Sequence, residues 1–138
     1  VDADFLRGID CLVVNEFEAL TLTGIQVDDL AGASQAAHKL LQAGCETAIV
    51  TLGARGAYYV SGEEEQHIPA RPVQAVDTTA AGDAFVGALA VAKLRGLALA
   101  EAVRYATCAG TLATTVLGAQ TSLPTAERVQ AFYERGVL

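Results

Sequence analysis

Leu40-Leu41-Gln42-Ala43-Gly44-Cys45-Glu46-Thr47-Ala48-Ile49-Val50-Thr51-Leu52 is the stretch that decides the fold class. On its N-terminal side Ala33, Ala36, Ala37, Leu40 and Leu41 recur at i, i+3, i+4, i+7 and i+8, the apolar face of an amphipathic helix. Gly44 stands where a left-handed helix C-cap is expected. Residues 47–52 then form a continuous apolar, β-branched run, the pattern of a strand covered on both faces. Helix, glycine, buried strand is the grammar of an α/β unit with parallel strands.

Working outward, Ile9-Asp10-Cys11-Leu12-Val13-Val14 reads as a second short buried strand. Asn15-Glu16-Phe17-Glu18-Ala19-Leu20 is the polar turn and helix after it, closed by Thr23-Gly24. Downstream, Gly53-Ala54-Arg55-Gly56 makes a tight turn into Ala57-Tyr58-Tyr59-Val60, and Ser61-Gly62-Glu63 turns again into Gln66-His67-Ile68. The expectation is an antiparallel hairpin appended to the parallel sheet. A helix is predicted over residues 80–95, with Phe85, Ala88, Leu89 and Ala92 on one face and Ala81, Gly82, Ala84 and Gly87 allowing close approach to a neighbour. A second is predicted over residues 99–117, ended by Gly118. A last one starts at Pro124-Thr125, with Val129, Phe132 and Tyr133 at core spacing. No internal repeat or linker interrupts the chain, so residues 1–138 are expected to form a single α/β domain, helical in its C-terminal part.

Of the 138 residues, 52% are hydrophobic, ample for a buried core, while 16 Asp+Glu against 9 Lys+Arg give a net charge of −7 without a basic stripe. That argues against nucleic acid as a partner. No apolar run reaches about 18 residues, so no membrane-spanning helix is expected. Cys11, Cys45 and Cys108 read as reduced core residues of a cytoplasmic protein. Glu63-Glu64-Glu65 reads as a solvated turn, and His38 and His67 as structural or surface histidines, since neither has a carboxylate or Cys at metal-ligand spacing. Tyr58 and Tyr59 are expected to pack the hairpin. The chain opens Val1-Asp2-Ala3-Asp4 without a signal-peptide pattern and contains no methionine, so a trimmed chain, a fragment or a misplaced start is expected.

The segment richest in chemistry is Val76-Asp77-Thr78-Thr79-Ala80-Ala81-Gly82-Asp83-Ala84-Phe85. Small residues at a helix start leave the first-turn amides at Ala80, Ala81, Gly82 and Asp83 open, and the positive end of the helix dipole makes such amides an anion site. A carboxylate in that turn reaches a hydroxyl brought up beside the anion, the pairing that phosphoryl transfer requires. Taken alone, an Asp-x-x-x-x-Gly-Asp pattern reads first as a capped helix, with Asp77 or Asp83 as the cap and Gly82 relieving packing.

The order of motifs adds to this. Asp77-Thr78-Thr79-Ala80-Ala81-Gly82-Asp83-Ala84-Phe85 resembles the C-terminal signature of the ribokinase (PfkB) carbohydrate kinase family. Asn15-Glu16-Phe17-Glu18 is similar to that family's Asn-x-x-Glu motif, and Thr51-Leu52-Gly53-Ala54-Arg55-Gly56 to its Thr-x-Gly-x-x-Gly nucleotide loop. Gly118-Ala119-Gln120-Thr121-Ser122 is similar to the segment closing its monovalent-cation site. The four motifs stand in the family's order and spacing across nearly the whole chain.

The resemblance implies a ribokinase-like α/β fold, a mostly parallel sheet flanked by helices with the hairpin appended, of which only the C-terminal, nucleotide-binding and catalytic half is present. It implies ATP-dependent phosphorylation of a sugar hydroxyl, ribose to ribose 5-phosphate first among the candidates. Kinases of the same family for another sugar or a nucleoside share the machinery, and a non-catalytic nucleotide-binding fragment is the alternative. By resemblance, Asp83 is the base and Ala81, Gly82 and Ala80 supply the anion hole. Asn15 and Glu18 organise phosphates and Mg2+, largely through water, and Thr51, Gly53 and Gly56 line the ATP site. Asp77 and the Ser122 hydroxyl, with backbone carbonyls near Thr79, Ala113, Val116 and Gly118, hold K+. The family's glycine-rich sugar-contacting motif and lid have no counterpart here. A lone half is expected to leave apolar surface for self-association or for a missing N-terminal half.

Overall fold

In the computed structural model, residues 6–116 and 124–136 are described. They build two units, one of residues 6–52 and 57–67, the other of residues 53–56, 68–116 and 124–136.

The first unit is built on β1 (Cys11–Asn15) and β2 (Thr47–Thr51), which pair in parallel from Cys11↔Thr47 to Asn15↔Thr51. Between them run α1 (Glu16–Thr23) and α2 (Leu30–Gln42), the helical crossover that a parallel pair requires. On the other side β2 pairs antiparallel with β3 (Ala57–Ser61), from Thr47↔Ser61 to Thr51↔Ala57, and β4 (Glu65–Ile68) completes the order β1-β2-β3-β4. The expected hairpin is therefore β3–β4, and the fold is α/β.

In β2, Ala48, Ile49 and Val50 are all fully buried, as the continuous apolar run requires. α2 starts at Asp29, whose side chain accepts from the Gly32 N–H at 2.8 Å, and buries Ala33, Ala36, Ala37 and Leu40 in one cluster with Val14, Ala48, Val50 and Val60. Each large apolar side chain buried this way contributes roughly 1.5–3 kcal/mol. Gly44 has φ 121°, and a Cβ there would lie 2.6 Å from the Arg7 backbone nitrogen, so both conformation and close approach call for glycine.

The hairpin departs from expectation at Glu65. It lies in β4, not in a turn, and its carboxylate gathers three donors: the Ser34 and Tyr58 hydroxyls and His38 Nε2, the last at 2.9 Å. Ser34 and His38 are one helical turn apart on α2, so this carboxylate staples β4 to that helix. The contact joins residues about 30 apart in sequence, which no local pattern signals. Tyr59, fully buried, packs as expected.

The second unit is helical: α3 (Ala81–Leu94), α4 (Leu99–Ala113) and α5 (Ala126–Arg135). α3 buries Ala84, Phe85, Leu89 and Ala92. Its close approach to α4 does not use Gly82 or Gly87, which are exposed with nothing within 4 Å of an added Cβ. The small residue at the contact is Gly110 on α4, where a Cβ would meet the Ala81 carbonyl at 3.2 Å. α4 also ends earlier than predicted, at Ala113, because the next two residues are threonines whose hydroxyls bond back to the helix. Gly118 lies outside the described residues. α5 is capped by Thr125 and buries Val129 and Phe132, while Tyr133 sets its ring edge-on to Tyr105 at 5.6 Å. Among the described residues no helix is long and apolar enough to cross a membrane.

The three donors around Glu65 hold its carboxyl at about 2, below its ordinary 4.5. A depressed acid stabilises the fold above the unfolded value, and that contribution is lost as pH falls through the folded one. The staple is thus fully present above about pH 4.5 and disappears between there and about pH 2. We expect Glu65→Gln to flatten the stability profile across this window, read by chemical denaturation at stepped pH. An unchanged slope would show that the staple carries no stability.

Candidate active site

Three of the predicted residues meet at one end of the parallel pair. Asn15 ends β1 and caps α1: its Oδ1 accepts from the Glu18 N–H at 2.7 Å, and Glu18 Oε1 accepts from the Asn15 N–H at 2.9 Å. The Asn-x-x-Glu motif is therefore a reciprocal capping box, locking both side chains in single orientations. The box uses one carboxylate oxygen of Glu18 and the amide oxygen of Asn15, leaving Glu18 Oε2 and the Asn15 amide NH2 for other partners. Both residues are exposed. The register sets Thr51 directly opposite Asn15 on β2. This is the carboxyl end of the strands, the edge at which α/β folds place ligands. An open hollow of about 470 Å³ lined by Glu46, Thr47, Ser61 and Glu63 lies at the other end of β2.

After β2 the chain enters a 3-10 turn, Gly53–Arg55, closed by the Gly56 N–H donating to the Gly53 carbonyl at 3.0 Å. The two glycines have different reasons to be glycine. Gly53 has φ 59° in open space, whereas Gly56 has φ 94° and faces backbone: an added Cβ would lie 2.0 Å from the Ile68 carbonyl oxygen. Gly53 is exposed and Gly56 buried, so of the two only Gly53 has its backbone open to solvent.

In the second unit the first turn of α3 differs from the starts of α1, α2 and α5, each capped by a side chain. Its N-cap is Ala80, and no side chain bonds its amides. Of the four amides expected to be open, Ala81 is not, since it donates to the Thr78 carbonyl at 3.2 Å. The Ala80, Gly82 and Asp83 amides have no acceptor among the described residues. Asp83 sits in that turn, exposed, and its carboxylate has no partner among the described residues, so it does not cap the helix. Asp77 does not cap α3 either. Its Oδ1 accepts from both the Thr79 N–H, at 2.9 Å, and the Thr79 hydroxyl.

The loop carrying Asp77 is tied to the end of α4: the Thr114 carbonyl accepts from the Val76 N–H at 2.7 Å and from the Asp77 N–H at 3.0 Å. Asp77 and Thr79 are thereby brought alongside the segment holding Ala113 and Val116. The Ala113 carbonyl accepts no hydrogen bond among the described residues. Gly118 and Ser122 lie outside the described residues. No group of three His, Cys, Asp or Glu side chains that could hold a metal occurs among the described residues.

The chain matches the profile of the pfkB family carbohydrate kinases over residues 2–126. It belongs to that family. Haemophilus influenzae ribokinase is 39% identical to it over 131 residues, which make up 95% of this chain and 43% of that protein. The structure of Arabidopsis thaliana ribokinase complexed with ribose and ATP superposes with a TM-score of 0.86 at 35% identity, covering 94% of this chain and 42% of the other. Escherichia coli phosphofructokinase-2 in complex with potassium gives 0.84 at 27% identity, covering 94% and 41%. The chain thus spans less than half the length of these relatives.

Two expectations follow from the geometry. Gly56→Ala should cost about 3 kcal/mol or more, because strain at positive φ adds to a backbone collision, whereas Gly53→Ala should cost roughly 1–2 kcal/mol from conformation alone. Equal losses in urea denaturation would refute the distinction. Glu18→Gln keeps an oxygen for the Asn15 N–H and should leave stability within about 0.5 kcal/mol, while Glu18→Ala should lose about 1 kcal/mol. If both variants melt alike, the capping box is not what holds Glu18.

Proposed function

We propose that the chain is the C-terminal, nucleotide-binding and catalytic half of an ATP-dependent sugar kinase. Ribose is the first candidate substrate and ribose 5-phosphate the product. The observation that carries the reading is the start of α3, where an uncapped helix terminus with open Gly82 and Asp83 amides adjoins an exposed, unpartnered Asp83 carboxylate. Capping, the plainer use of such an acid, would have consumed either the amides or the carboxylate.

In the reaction the sugar hydroxyl oxygen attacks the γ-phosphorus, forming the new P–O bond as the bond to the leaving β-phosphate oxygen breaks. The hydroxyl proton passes to the Asp83 carboxylate. The first-turn amides and the dipole of α3 hold charge developing on the transferred group, stabilisation that needs no reorganisation because the amides are fixed by the helix. The Gly82 and Asp83 amides serve directly, and Ala81 shares its amide with the Thr78 carbonyl.

Mg2+, when bound, neutralises the ATP phosphates. Glu18 Oε2 and the Asn15 amide, pre-oriented by their capping box, are the acceptor and donor that would hold its water shell and the phosphates. Thr51 and Gly53 would line the nucleotide, and Gly56 holds the turn in shape. Asp77, with the Thr79, Ala113 and Val116 carbonyls together with Gly118 and Ser122, would hold K+. That assignment is supported by the tie between Asp77 and the end of α4, and by the potassium complex of the related phosphofructokinase-2.

A second reading is a nucleotide-binding piece without turnover of its own. Ribose-dependent ADP release by this chain separates the two. In the full-length enzyme, Asp83→Asn should lower kcat by roughly 10²–10⁴ with the KM for ATP little changed. Wild-type turnover in that variant would remove Asp83 from the mechanism.

A further inference from the structure

We propose that Thr114 and Thr115 are positioning residues, whose hydroxyls set the end of α4 so that the Thr114 carbonyl holds the loop that leads into the first turn of α3. The Thr111 carbonyl receives both the N–H and the Oγ–H of Thr114, at 3.1 and 2.6 Å. The Leu112 carbonyl receives both from Thr115, at 3.0 and 2.7 Å. Each threonine thus closes a tight three-residue turn with two donors, where a continuing α-helix would reach back four residues with one. The helix stops, and the Thr114 carbonyl, released from the helical ladder, takes the Val76 and Asp77 N–H groups at 2.7 and 3.0 Å.

From Asp77 the order is passed on. Its Oδ1 takes the Thr79 N–H and hydroxyl, and the Thr78 carbonyl takes the Ala81 N–H at the start of α3. A second contact supports the same turn, because Gly110 lets α4 approach the Ala81 carbonyl, where a Cβ would stand at 3.2 Å. The end of α4 and the amides of α3 are therefore one hydrogen-bonded assembly, with the two threonine hydroxyls as its anchor. The functional consequence rests on the reading of α3 given above, while the tether itself does not.

The test is amide hydrogen exchange on the chain, comparing Thr114→Val/Thr115→Val with Thr114→Ser/Thr115→Ser. Loss of the hydroxyl bonds should speed exchange at Val76 and Asp77 by roughly tenfold. Leu89, in the interior of α3, should be unaffected. The serine pair keeps both hydroxyls and should restore protection to within about twofold. Unchanged exchange in the valine pair, or equal loss in valine and serine pairs, overturns the proposal. If the double valine variant does not fold, Thr115→Val alone carries the same comparison against Thr115→Ser. In the full-length enzyme the valine pair should lower kcat at unchanged KM for ATP. If protection falls while kcat stays, the tether stands and the catalytic reading of α3 fails.

Discussion

Parallel pairing of β1 with β2 in the register Asn15↔Thr51 is the constraint on which the first unit depends. A strand register is set by which side chains must be buried, because a slip of one residue exchanges the two faces. Here Val14 joins Ala48, Val50 and Val60 in the cluster under α2, and moving β1 by one residue would put Asn15 there instead. An unpaired buried amide costs more than any alternative pairing could return. The apolar core thus fixes the position of two polar residues that contribute nothing to it. Asn15 and Thr51 come out together at the carboxyl end of the strands because the residues before them are buried.

The second unit achieves a comparable placement with backbone rather than side chains. Three of the five helices begin with a side-chain cap, while α3, like α4, begins at an alanine without one. An uncapped start forgoes about 1 kcal/mol of stability, and it leaves amides free to serve something other than the fold. The cost is offset nearby: Phe85 and Leu89 are buried within the next two turns, and the preceding loop is held by bonds to the Thr114 carbonyl. On the proposed reading, a site made of backbone amides needs rigid surroundings more than particular side chains, and Ala and Gly as its neighbours agree with that.

The sequence was most legible where periodicity and neighbours in the chain decide. The helix before Gly44, the buried strand after it, the hairpin and the cap of α5 all follow from patterns within about ten residues. The motifs that carry the candidate residues are local as well. What stayed hidden depends on contacts distant in sequence. Glu65 looked like one of three solvated acids, and its partners Ser34 and His38 lie on α2. Gly82 and Gly87 looked like packing glycines because they interrupt an apolar helix, yet the packing glycine is Gly110, on the other helix. The early end of α4 is different: Thr114 and Thr115 were in plain view, and β-branched residues with hydroxyls at the end of an alanine-rich helix are a signal for a tight terminal turn.

Asn15 and Glu18 show why motif and structure are hard to separate in such a protein. Each satisfies a backbone group of the other, which makes the pair a structural cap, and each keeps one polar group facing outward. A side chain held at one end by its own backbone has lost its rotamer freedom before any ligand arrives. Ligand binding then need not supply that ordering, which for a residue such as Glu is on the order of 1 kcal/mol or more. The capping role and the proposed ligand-facing role are therefore not competing explanations of one motif, since the first would make the second effective.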